Sequence, residues 1–124
     1  MHKKKILIID DEETFAEGVK FNLEETGKYV VTVENKGSKG FDAVKKFRPD
    51  LILLDLMMPD TGGDKVAFEL KNCADTRDIP VILLTAAVTA EEEAEAGGVL
   101  SGYRIMAKPV DLEKLIAAVG EACP

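Results

Sequence analysis

Apolar residues fall along this chain in two rhythms. Short, nearly unbroken runs occur at Ile6–Ile9, Tyr29–Val33, Leu51–Leu54 and Val81–Leu84, with a weaker one at Tyr103–Ala107. Runs of Ile, Val and Leu bounded by charge or proline suit strands covered on both faces. Between the runs the spacing turns helical. Phe15, Val19 and Leu23 recur every fourth residue, and Gly27 beyond them is a natural helix stop. Phe41, Val44 and Phe47 recur every third residue and end before Arg48-Pro49. Val66, Ala67, Leu70 and Ala74 make a third stripe, and Leu112, Leu115, Ile116 and Val119 a last one, opened by Asp111 as N-cap. Strand then helix, five times over, predicts a parallel sheet with helices on both faces and right-handed crossovers.

One unit departs from this rhythm. Between Thr89 and Gly98 there is no large apolar residue, only alanines among four glutamates, then Gly97-Gly98. Alanine and glutamate favour helix intrinsically, but alanine buries little area, so the fourth helix is expected to hold the sheet weakly.

The 124 residues suit one domain, residues 1–124, with any effector domain outside them. A content of 46% hydrophobic and 31% charged residues matches a packed globule. The formal net charge of −7 argues against a general grip on nucleic acid, which needs basic patches. No apolar run approaches the ~20 residues of a membrane span, and Ile6–Ile9 is too short for a signal-peptide core. Cys73 and Cys123 form no metal spacing and no disulfide framework, and read as small, partly buried fillers. A cytoplasmic protein without membrane or direct nucleic-acid contacts is the expectation.

Charge interrupts the apolar runs at telling places. Asp10 and Asp11 follow the first strand, Asp55 the third, Thr85 the fourth and Lys108 the fifth. In open parallel sheets, ligands bind outside the carboxyl ends of strands. Any one of these residues reads as a solvated loop position; together, on one edge, they do not. Three neighbouring carboxylates repel unless a cation sits among them, and hard oxygen ligands suit Mg²⁺. A lysine ammonium and a threonine hydroxyl add positive charge and a hydrogen bond for an anion. That equipment suits phosphoryl transfer, and a carboxylate can itself be the nucleophile, giving an aspartyl phosphate.

The segments Ile8-Ile9-Asp10-Asp11-Glu12, Leu53-Leu54-Asp55-Leu56-Met57-Met58-Pro59, Leu84-Thr85-Ala86 and Lys108-Pro109 resemble the receiver domain of two-component response regulators over nearly the whole chain. The resemblance implies a flavodoxin-like, doubly wound, five-stranded parallel sheet in the order 2-1-3-4-5 with five helices. It also implies that Asp55 accepts a phosphoryl group from a histidine kinase or histidine phosphotransfer protein. Asp11 and Asp55 would hold Mg²⁺, with Asp10 reaching it through water and the Met57 backbone carbonyl completing the set. Lys108 would pair with phosphoryl oxygens and Thr85 would swing toward them. Ala86, Ile105 and Pro109 would be the accompanying switch positions, the bond before Pro109 being cis. The single histidine, His2, reads as a solvated terminal residue, so the donor must be another molecule. The face of the fourth helix, fifth strand and fifth helix is where a homodimer or a downstream effector would bind.

The sequence departs from this family at one position. Ile105 stands where receivers usually carry an aromatic residue three positions before the lysine. Tyr103 lies on the same strand face but about 6.6 Å farther from the edge, and reads as a half-buried strand residue. The stretch from Thr85 to Lys108 is one residue longer than the usual pattern, which makes a bulge conceivable. A switch that orders the loosely held fourth helix, rather than one that rotates a ring, is the resulting expectation. Two other functions compete. Asp10-Asp11-Glu12-Glu13-Thr14 faintly resembles the first motif of haloacid-dehalogenase phosphatases, but no convincing late acidic motif follows. A docking pseudo-receiver would ordinarily have lost its acceptor or acidic pair. Gly62-Gly63 reads as a turn before the third helix, since P-loop spacing is absent.

Overall fold

The computed structural model describes residues 3–100 and 102–124, leaving the expectation for His2 outside the described residues. The five anticipated strands are β1 (Lys4–Ile9), β2 (Tyr29–Glu34), β3 (Leu51–Asp55), β4 (Val81–Thr85) and, after an inserted strand β5 (Val99–Leu100), β6 (Tyr103–Ala107). The helices are α1 (Glu13–Glu25), α2 (Gly40–Phe47), α3 (Gly63–Lys71), α4 (Ala90–Glu95) and α5 (Leu112–Ala122), with a 3₁₀ turn at Gly37–Lys39. The sheet order is β2-β1-β3-β4-β6-β5, so the five parallel strands follow the expected 2-1-3-4-5 order. The two-residue β5, pairing antiparallel along the outer edge of β6, is a strand the apolar pattern did not announce.

Strict alternation of faces explains the unbroken apolar runs. Ile6, Ile8, Leu51 and Leu53 pack beneath α1 and α5 with Val19, Leu23, Leu115 and Val119. Leu7, Ile9, Ile52 and Leu54 pack on the other face with Val44, Val66 and Leu70 from α2 and α3. Every residue of β3 is buried, and each fully buried Leu or Ile contributes roughly 1.5–3 kcal/mol.

Helix ends follow the expected punctuation, with corrections. Asp111 caps α5, accepting the N–H groups of Glu113 at 3.0 Å and Lys114 at 3.3 Å. Gly27 follows α1 with φ +77°, a conformation most side chains avoid. The third stripe is shorter than its spacing suggested: α3 stops at Lys71, and Ala74 lies exposed in the turns that follow. There Thr76, buried, donates its hydroxyl to the Leu70 carbonyl at 2.6 Å, satisfying the free helix end. Leu112 is exposed too, because the buried face of α5 runs through Leu115, Ala118 and Val119.

The extra length before Lys108 does not make a bulge in β6. The pairing of β4 with β6 runs without a break from Ile82–Arg104 to Thr85–Ala107. The chain instead turns at Gly97 and Gly98, both at positive φ, and lays down β5. Tyr103 therefore keeps its register, half-buried, with Lys71 Nζ 5.9 Å from its ring centroid. Ile105 is buried against the α2–α3 side of the sheet.

Candidate functional site

The carboxyl ends of the central strands bring most of the anticipated residues together. Asp10 leaves β1 completely buried, Asp11 beside it is half-buried, and Asp55 ends β3 only 3% exposed. One carboxylate oxygen from each of these three lies within 4.8 Å of the others. Lys108 enters from the far end of β6. Its Nζ is 2.8 Å from Asp10 Oδ2, 2.7 Å from Glu12 Oε1 and 3.3 Å from Asp55 Oδ2. Its N–H donates to the Thr85 carbonyl at 2.9 Å, and the bond to Pro109 is cis.

Local backbone aims these groups. The Met57 N–H donates to Asp55 Oδ1 at 3.0 Å, and the Glu12 N–H to Asp10 Oδ1 at 2.9 Å. The amide of Asn35 donates to the Asp10 carbonyl at 2.9 Å, tying the end of β2 to the end of β1. Met57 has its side chain largely in solvent, whereas Met58 turns into the core. Thr85 ends β4 fully buried, its hydroxyl accepting the Ala87 N–H at 3.0 Å, and Ala86 lies exposed beside it. Thr85 thus stands on the same sheet edge, but its hydroxyl is engaged within its own loop.

The electrostatics are unbalanced. Burial pushes the Asp55 carboxyl up to about 6; the Met57 N–H opposes this, the Asp10 charge adds to it, and Lys108 again opposes. Burial works to lower the Lys108 pKa, but hydrogen bonds and charge from Asp10, Glu12 and Asp55 outweigh it and hold the ammonium above its ordinary range. Asp10 Oδ2 is fully buried, and its partner is the Lys108 ammonium at 2.8 Å. A group of three carboxylates facing one ammonium suits a divalent cation with hard oxygen ligands. The residues present fit such an ion.

Sequence reasoning passed over several contributors. Glu12 appeared only as part of a motif, and its pairing with Lys108 joins the chain after β1 to the chain after β6. The Phe15 ring, 4.5 Å from Lys108 Nζ, read as a core position alone. Gly63 is needed for space: a Cβ there would collide with the Asp55 carbonyl, so α3 starts directly against the acidic strand. Asp60, at the loop tip, accepts N–H groups from Gly37 at 3.2 Å, Ser38 at 3.0 Å and Thr61 at 2.9 Å, clamping the loops after β2 and β3 together. An acidic residue after a proline was the visible signal, without a visible partner.

Comparison with known proteins identifies relatives of this chain. The family model described as response regulator receiver domain matches residues 6–120. The chain is 39% identical over 116 residues to the DNA-binding dual master transcriptional regulator RpaA of Synechocystis, covering 93% of this chain and 47% of that protein. It is 37% identical over 117 residues to the phosphate regulon transcriptional regulatory protein PhoB of Escherichia coli, covering 94% and 50%. The chain thus spans about half the length of these curated relatives. Among solved structures, the Francisella response regulator 1452 receiver domain superposes with a TM-score of 0.80 at 28% identity, covering 97% of this chain and 96% of that one. A response regulator structure from Chloroflexus aurantiacus gives 0.84 at 25% identity, covering 98% of each. Among the described residues no helix is long and apolar enough to cross a membrane.

Proposed function

Because this chain belongs to the receiver domains of two-component response regulators, we propose that Asp55 is its phosphoryl acceptor and that residues 1–124 form one phosphorylation-controlled switch. The observation that carries the reading is the gathering of Asp10, Asp11 and Asp55 oxygens within 4.8 Å, with Lys108 Nζ 3.3 Å from Asp55. An Asp55 oxygen attacks the phosphorus of a phosphohistidine on a kinase or phosphotransfer protein. The new P–O bond forms as the P–N bond breaks, its electron pair leaving on the imidazole nitrogen. Lys108 pairs with the phosphoryl oxygens, where positioned positive charge is worth most. Thr85, released from the Ala87 N–H, hydrogen-bonds the new group and reports it.

Asp10, Asp11 and Asp55, with the Met57 carbonyl, would hold Mg²⁺. When bound, the ion supplies positive charge that keeps the carboxylates ionised and offsets that of the phosphoryl oxygens. The output surface is the α4–β6–α5 face, offered to a second copy or a downstream effector in the cytoplasm. No feature of the described residues favours a phosphatase of haloacid-dehalogenase type, and a docking module without chemistry would not need the intact acidic set.

Intact-mass spectrometry after incubation with Mg²⁺ and a small acyl phosphate tests the reading. One added phosphoryl group is expected on the native chain and none on Asp55→Asn, with the variant still folded. An acid-stable label persisting on the variant would overturn the assignment of Asp55.

A further inference from the structure

Lys108 has three carboxylates within 3.3 Å of its Nζ, and the one on Asp55 is the farthest of the three. Its shortest contact, 2.7 Å, runs outward to Glu12, while Asp10 Oδ2 lies at 2.8 Å and Asp55 Oδ2, the more distant, at 3.3 Å. Glu12 occupies the N-cap of α1, yet its carboxylate caps no helix N–H and reaches Lys108 instead. Its own N–H is fixed by Asp10 Oδ1, so the side chain starts from a constrained point. Lys108 itself is only 8% exposed along its side chain, whereas Glu12 is 59% exposed.

Resting on the reading of Asp55 as acceptor, we propose that Glu12 is a positioning residue that competes with the Asp55 phosphoryl group for the Lys108 ammonium. A phosphoryl group brings close to two negative charges onto Asp55 and needs the lysine protons directed inward. Engaging it draws Nζ away from Glu12, whose carboxylate then returns to water it already faces. An ion pair with one exposed partner is worth little, so the competition tunes phosphoryl affinity without blocking it. Glu12→Asp keeps the charge but is one methylene too short to hold Lys108 in the same way. Glu12→Gln keeps the length and loses the charge.

Calorimetric titration of beryllofluoride, a phosphoryl mimic, into the whole chain at saturating Mg²⁺ tests the competition, with Mg²⁺ titrated alone in parallel. Both Glu12→Asp and Glu12→Gln are expected to bind beryllofluoride roughly two- to fivefold more tightly, the range of an exposed ion pair. Mg²⁺ affinity of Glu12→Asp stays at the native value. Unchanged or weaker beryllofluoride binding in both variants would overturn the proposal. So would tightening in Glu12→Gln alone, which reports charge without competition for Lys108. A native chain whose beryllofluoride binding is absent, or survives Asp55→Asn, would remove the acceptor reading and this one with it. Binding lost on Asp55→Asn but indifferent to Glu12 removes only the role of Glu12.

Discussion

The centre of the sheet and its β6 edge are built from different materials. Around β3 every side chain is buried, and two apolar layers hold Asp55 and its neighbours from both sides. At the edge, α4 is six residues long and buries none of them. It is held by its own capping box between Thr89 and Glu92, and by one short bond from the Ala107 N–H to Glu93 Oε1 at 2.7 Å. Rigid carboxylate placement and a lightly moored helix therefore meet at one residue, since Ala107 directly precedes Lys108. The groups proposed to carry the chemistry sit on the packed part, and the face proposed for partners sits where opening costs least.

The largest test of that contrast concerns stability. Leu53→Ala is expected to cost about 3 kcal/mol in urea unfolding, the range for emptying a filled core position. Ala94→Gly in α4 is expected to cost about 1 kcal/mol or less. Equal losses would erase the distinction between the two regions.

A second test concerns the strain of the acidic centre. Asp55 carries a folded pKa of about 6 against an ordinary value of 3.8, so the folded state binds more protons than the unfolded one between those values. Its ionisation therefore destabilises the metal-free chain fully above pH 6, and the penalty vanishes as the pH falls toward 4. Without Mg²⁺ at pH 7.5, Asp55→Asn should be more stable by on the order of 2 kcal/mol, with the advantage fading at low pH. Melting curves across pH for both proteins measure this, and a variant less stable at every pH would contradict it. Added Mg²⁺ should stabilise the native chain more than the variant.

The smallest expected effect lies at the edge itself. Glu93→Ala removes the bond to Ala107 and should leave global stability within about 1 kcal/mol. Amide exchange in residues 89–98 should nevertheless quicken measurably. In the native chain the same amides should gain protection on binding a phosphoryl mimic. Strong protection in both states would end the view of α4 as a segment ordered by phosphorylation.

How far these features were legible differs by position. The strand ends carrying Asp10, Asp11, Asp55, Thr85 and Lys108 were readable because each closes an apolar run, and parallel topology sends those ends to one edge. Ala74 misled because a helical spacing continues through it while the chain has already turned, with Thr76 satisfying the helix end. The strand Val99–Leu100 was hidden because two residues carry no period.

The succession of unbroken apolar runs and helical stripes by itself determined the five strands, the helical faces that cover them and the set of polar groups at their carboxyl ends, since such patterns are a local property of the chain. Only the tertiary structure decided that Lys108 leans on Glu12, that Asp10 pairs with the same ammonium, and that Glu93 fastens α4 to the peptide before Lys108. Those contacts join residues 14 to 98 positions apart, and their geometry depends on the path of the folded backbone, which no local pattern records.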